Sequence, residues 1–213
     1  MTTKSDARCW AILPAAGTGS RMGTELPKQY IAVAGATLLE HSLRALLSCE
    51  QISGIIVALH ADDTRAAEMS IFQHPRVQTV VGAERRSGSV LAGLDALTPQ
   101  AGLRDWVLVH DAARPCLQAR DIIRLMTTVI ANDSGGILAE KMIDTVKQAS
   151  EGAMVLRTLD RATLWRAQTP QMFRLDELRE ALQQADAQGL AVTDEASAME
   201  MAGHLVQLLP GSA

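Results

Sequence analysis

The chain has 213 residues, 47% of them hydrophobic and 21% charged, and a net charge of −4. That composition excludes a disordered chain, allows one sizeable core over residues 1–213, and with one Tyr and two Phe argues against a nucleic-acid surface. Three widely spaced cysteines (Cys9, Cys49, Cys116) exclude a disulfide framework or zinc knuckle, and no apolar run is long enough for a signal or a membrane span, so a cytoplasmic, membrane-free protein is expected.

Short apolar runs alternate with segments of helical period. Cys9–Leu13 reads as a buried strand. Thr37–Leu47 carries Leu38, Leu39, Leu43, Leu46 and Leu47 on a helical stripe. Ile55–Leu59 reads as a strand, and Asp62–Phe72 as a helix with acidic residues in its first turn. Val77–Val81 is a strand, Ser89–Leu97 a helix, Trp106–His110 a strand, Ala119–Ile130 an amphipathic helix and Gly136–Ala139 a strand. Repeated strand–helix alternation predicts a doubly wound α/β fold with a mostly parallel sheet. Sites in such sheets lie beyond the carboxyl ends of the strands, here after Leu13, Val81 and His110.

The pattern changes near residue 140. Met142–Gln148 and Met154–Leu159 alternate loosely around Glu151-Gly152, predicting an inserted β-hairpin. Leu175–Gln188 and Asp194–Ala202 read as helices, and His204–Leu209 as a late strand.

Pro14 to Gly23 follows the first strand. Gly17, Gly19 and Gly23 let the backbone approach a ligand, and successive N–H groups there can cradle phosphate oxygens. Arg21 and Lys28 add positive charge, with Pro27 stiffening the approach to Lys28. The third glycine comes one position late for a dinucleotide fingerprint, and Thr24 stands where a P-loop needs Lys. Spacing alone leaves open a plain glycine-rich connection with solvated cations.

Asp111 follows the strand Trp106–His110, where a carboxylate can hold a Mg²⁺ bridging phosphates. Its alternatives are a helix cap or a partner for Arg114, and His110 reads as structural. Gly82 to Ser89 enters a helix with small residues and hydroxyls suited to a base edge or phosphate, or to an ordinary cap by Ser87 or Ser89. Arg157 and Arg161 could grip a second phosphate. Thr193 reads as a helix cap with room for a substrate role, and Met199 and Met201 as packing.

In order, the chain carries P-A-A-G-x-G-x-R-M, P-K-Q-Y, V-H-D-A-A-R-P, L-D-R-x-x-L-W-x-A-Q-T-P-Q and T-D-E-A-S. Together these resemble the 2-C-methyl-D-erythritol 4-phosphate cytidylyltransferases of the non-mevalonate isoprenoid pathway, from about Ala11 to about Leu209. The resemblance implies a nucleotidyltransferase-type domain and a homodimer clasped by the arm at about 140–162. It implies that Ala15, Ala16, Gly17, Gly19 and Arg21 cradle cytidine triphosphate, with Lys28 on its phosphates. Ala83, Glu84 and Ser89 would read cytosine or ribose, and Asp111 would assist Mg²⁺ or another divalent cation. Arg114, Thr145, Arg161 and Thr193 would bind the polyol phosphate, Thr145 and Arg161 from across the dimer.

There are two departures. Gly88 stands where an acidic residue is common. The family also has a segment after the last strand, with an Asp, a Lys and a Thr-Arg-Pro-Glu-Asp-Leu run, that these residues do not reach. A metal-side acid and a phosphate-binding lysine are thus expected outside them. A ribitol 5-phosphate cytidylyltransferase and a non-catalytic nucleotide-binding homologue stand as alternatives.

Overall fold

The computed structural model describes residues 7–17 and 26–212. Gly19 and Arg21, both expected in the site, lie outside them.

In chain order the elements are β1 (Cys9–Ala15), β2 (Ala32–Val33), β3 (Ala36–Thr37), α1 (Leu38–Leu47), β4 (Ile52–Leu59), β5 (Val77–Val81), α2 (Arg86–Leu97), β6 (Trp106–Val109), α3 (Ala119–Asn132) and β7 (Gly136–Lys141). There follow β8 (Lys147–Ala149), β9 (Val155–Thr158), β10 (Trp165–Arg174), α4 (Leu175–Ala187), α5 (Glu195–Met201) and β11 (Gln207–Pro210). Seven strands form one sheet in the order β11-β7-β10-β6-β1-β4-β5. β1 pairs in parallel with β4 and β6, as do β4 with β5 and β7 with β11. β10 runs against both its neighbours, β6 and β7. The expected mostly parallel α/β sheet is therefore present.

The sheet's period of two sorts β1 into two cores. Cys9, Ala11, Leu13 and Ala15 face a core with α1 and α3, while Trp10 and Ile12 face one with α2, α4 and α5. A strand buried on both faces needs a continuous apolar run, which Cys9–Leu13 supplies. α1 starts at a capping box, in which Thr37 accepts from the Glu40 backbone N–H and the Glu40 carboxylate accepts from the Thr37 backbone N–H.

Two readings change. Asp62–Phe72 is not an α-helix but two short 3₁₀ turns, Ala66–Glu68 and Ser70–Gln73, separated by extended Met69. The Asp63 carboxylate accepts the Ala66 N–H and the Tyr30 hydroxyl, fixing a turn there instead. The second change is β10, which the apolar periodicity does not announce. Its pairing with β7 shifts register between Ala167 and Gln171, around the cis Thr169-Pro170 peptide. A proline inside a strand belongs at such an irregularity. The expected hairpin arm is β8 and β9, antiparallel and separate from the main sheet.

Candidate active site

The carboxyl ends of β1, β5 and β6 open onto one cleft of about 910 Å³. Its lining includes Ala15, Ala16, Gly17, Lys28, Ala83, Glu84, Ser89, Asp111, Arg114 and Thr193, so most of the residues expected in the site converge there. That volume suits a small-molecule ligand.

Gln29 explains how Lys28 reaches the glycine loop. Its buried amide Nε2 donates to the Ala15 and Gly17 carbonyls at 2.8 and 3.2 Å. This fastens the 3₁₀ turn Lys28–Tyr30 beside the end of β1 and leaves Lys28 exposed on the cleft.

On the facing side, Ser89 lines the cleft but is not a cap. It sits inside α2, almost fully buried, and its hydroxyl bonds both the N–H and the carbonyl of Ala83 at 3.0 Å. It shapes the turn that presents Ala83 and Glu84. Gly82 lets this turn close: a Cβ there would lie 2.7 Å from Ala16 Cβ and 2.9 Å from Ser89 Oγ.

After β6 the chain is held by a fully buried His110. Burial pushes its pKa down from 6.5 to about 4, although Asp111 opposes the shift, so the ring is neutral near pH 7. Its Nε2 lies 3.1 Å from the Arg114 carbonyl, which can only accept, so Nε2 carries the proton. Nδ1 therefore accepts from the Thr169 hydroxyl at 2.9 Å, and the same hydroxyl accepts from the Asp111 N–H at 3.2 Å. Thr169 reaches this point because β10 is antiparallel: Gln171 pairs with Val109, which carries Thr169 past the end of β6. Ser42 of α1 completes the brace, donating to the Ala112 and Arg114 carbonyls.

The Asp111 carboxylate receives Arg86 Nε on Oδ1 at 3.0 Å and Arg114 Nε on Oδ2 at 2.8 Å. Burial opposes its charge, but the two guanidiniums outweigh that and hold its pKa below the ordinary value. Arg86 in turn grips both oxygens of Glu195, at 2.5 and 3.0 Å. Arg86 and Glu195 had no expected role. Residues so far apart in sequence give no local signal of their pairing, although Glu195 lies within the Thr193–Ser197 motif.

The cap of α5 is Asp194 rather than Thr193. Asp194 accepts the Ser197 N–H, and Gln171 Nε2 donates to its other oxygen at 2.8 Å. Thr193 stays exposed on the cleft, free of the capping role. Thr145 and Arg161 lie on the exposed arm and do not line their own chain's cleft. Arg161 donates to the Ile143 carbonyl.

Among the described residues no group of three or more His, Cys, Asp and Glu converges as a metal cage. Asp111 offers one carboxylate on the cleft, with a second lone pair on each oxygen beyond those facing the arginines. Mg²⁺ is commonly bound through one or two carboxylates plus substrate phosphates and water. The donor set therefore fits an ion shared with a bound triphosphate.

Residues 9–213 match the family model described as 2-C-methyl-D-erythritol 4-phosphate cytidylyltransferase. The chain belongs to that family. A Mannheimia succiniciproducens protein bearing the family's name is 50% identical over 94% of this chain and 86% of its own length. A Vibrio vulnificus relative of the same name is 47% identical over 94% of this chain and 85% of its own. The crystal structure of the Francisella tularensis enzyme superposes with a TM-score of 0.82 at 34% identity, covering 97% of this chain and 91% of that one. The family is one of nucleotidyltransferases, and β10 and the hairpin arm are elements of this member's fold.

Proposed function

We propose that this enzyme transfers the cytidylyl group of cytidine triphosphate to 2-C-methyl-D-erythritol 4-phosphate, a step in isoprenoid precursor synthesis. The observation that carries the reading is the convergence of the glycine-loop strand end, Lys28, Asp111 and Arg114 on one cleft, in a chain of this family.

An oxygen of the acceptor phosphate attacks the α-phosphorus. A new P–O bond forms, the bond to the β-phosphate oxygen breaks, and pyrophosphate leaves with the electron pair. The nucleophile is mostly dianionic near neutral pH, since its second pKa is about 6, so no general base is required. A neutral His110, buried behind the loop, accords with that. The obstacle is repulsion between anions, which Lys28 and Arg21 lower by neutralising charge on the triphosphate. Asp111 would hold a magnesium ion, which would supply further charge neutralisation. Ala15, Ala16, Gly17 and Gly19 cradle the triphosphate, Ala83 and Glu84 face the cytosine or ribose, and Ser89 braces their turn. Arg114 and Thr193 take the acceptor phosphate.

Thr145 and Arg161 complete this site from a second copy of the chain. Support comes from the arm itself, where Ile143, Met154, Val155 and Leu156 are largely exposed within a single chain. Apolar groups so gathered favour an interface. The enzyme acts as a homodimer in the cytoplasm; among the described residues no helix is long and apolar enough to cross a membrane.

Pyrophosphate release with cytidine triphosphate and each acceptor in turn tests the reading. Release with methylerythritol phosphate is expected. Release with ribitol 5-phosphate alone, or with neither acceptor, would overturn it.

A further inference from the structure

Glu195, Arg86, Asp111 and Arg114 form one chain of alternating charge. It runs from the core to the mouth of the cleft. Glu195 at its root is 1% exposed, whereas the Arg114 side chain is 51% exposed. The four residues come from the start of α5, the start of α2 and the loop after β6.

Stability is a poor reason for such a root. A buried ion pair seldom outperforms apolar residues of the same volume, because desolvation cancels much of the attraction. The geometry offers another reason. A guanidinium is a rigid planar fork. With both Nη atoms engaged by Glu195, the Arg86 Nε–H has a single direction left, toward Asp111 Oδ1. Asp111 is thereby turned so that Oδ2 meets Arg114. Lysine could supply the charge at position 86 but not this direction.

We infer that Arg86 and Glu195 are positioning residues, which through Asp111 set the orientation of Arg114 for the acceptor phosphate. The inference rests on the proposed function only for the identity of that acceptor. α2 also carries Ser89, the brace of the Ala83–Glu84 turn, so one helix start indexes both halves of the cleft.

The test uses Arg86→Lys, Glu195→Gln and the apolar pair Arg86→Met/Glu195→Leu. Kinetics are measured with each substrate varied separately, alongside thermal unfolding and the NMR signal of the Arg114 Nε–H. In both single variants the acceptor KM is expected to rise about tenfold or more, the scale seen when a supporting partner of a site ligand is lost. The KM for cytidine triphosphate is expected to rise by a smaller factor, through Asp111 and the start of α2. The apolar pair is expected to recover the unfolding temperature but not the acceptor KM. Glu195→Gln is expected to broaden or shift the Arg114 signal, although the two residues do not touch.

A purely structural role predicts otherwise: the apolar pair recovers both stability and acceptor KM, or both KM values rise by the same factor. Either result overturns the inference, as does an unchanged Arg114 signal in Glu195→Gln. The NMR arm needs no turnover. If the unsubstituted protein released no pyrophosphate while the Arg114 signal still responded, the functional reading would fail and the positioning inference would stand.

Discussion

At the residue scale, His110 shows how a site can be organised by a group that stays uncharged. Its imidazole links the Thr169 hydroxyl to the Arg114 carbonyl, and protonating Nδ1 would force that hydroxyl to turn from donor to acceptor and would place a charge in the buried site. In the unfolded chain the ring takes a proton near its ordinary 6.5, but in the fold only near 4. The unfolded state therefore binds more protons between those values, and stability falls as pH drops through that window. The difference is worth about 3 kcal/mol. Urea unfolding at pH 7 and near pH 4, compared with His110→Gln, checks this: the unsubstituted protein should lose more stability than the variant. Parallel losses in the two proteins would show that His110 is not the titrating group. Lys28, by contrast, acts through its charge. Replacing it with Ala should lower pyrophosphate release by ~10²–10³, the cost of losing one charge-stabilising donor, with unfolding unchanged.

At the element scale, the apolar runs of β1, β4 and β6 were legible because strands buried on both faces need uninterrupted hydrophobic sequence. β10 was not, because its first half carries Arg166, Gln168 and Thr169 toward solvent and the cleft, leaving Met172 and Phe173 as a two-residue apolar signal. Asp62–Phe72 misled for the opposite reason: its apolar spacing is helical, but Asp63 is committed to Tyr30 and Ala66. In the site, residues at strand ends could be found from sequence, since Gly17, Asp111 and Arg114 follow predicted strands. The Arg86–Glu195 pair and the Gln171–Asp194 bond depend on tertiary packing and could not. Gly82 tests how tightly these elements meet. The Cβ of Gly82→Ala would fall against Ala16 and Ser89, neither of which is the far end of a flexible side chain. Overpacking of this kind costs about 1–3 kcal/mol. Because the turn must shift, the KM for cytidine triphosphate should rise more than that for the acceptor. A variant with normal stability and both KM values unchanged would mean the turn is looser than its packing implies.

At the scale of the whole molecule, the arm decides whether one chain holds a complete site. Thr145 and Arg161 lie outside the cleft of their own chain, while Lys28 lies inside it. If the arm crosses a two-fold axis, each site takes Lys28 from one copy and Arg161 from the other. Arg161→Ala and Lys28→Ala then damage different halves of the same site. In a hybrid of the two variants, one site carries both lesions and the other carries neither. Unfolding and refolding an equal mixture should make about half of the dimers hybrid, so about a quarter of all sites should be intact. Activity of the mixture should climb from that of the crippled parents toward about a quarter of the unsubstituted level. If each chain instead supplied its own Arg161, every site would keep one lesion and mixing would restore nothing. Measuring pyrophosphate release before and after exchange therefore separates a shared site from a self-contained one, and Arg161→Ala mixed with unsubstituted chain, where about half of the sites stay intact whether or not chains exchange, corrects for losses on refolding.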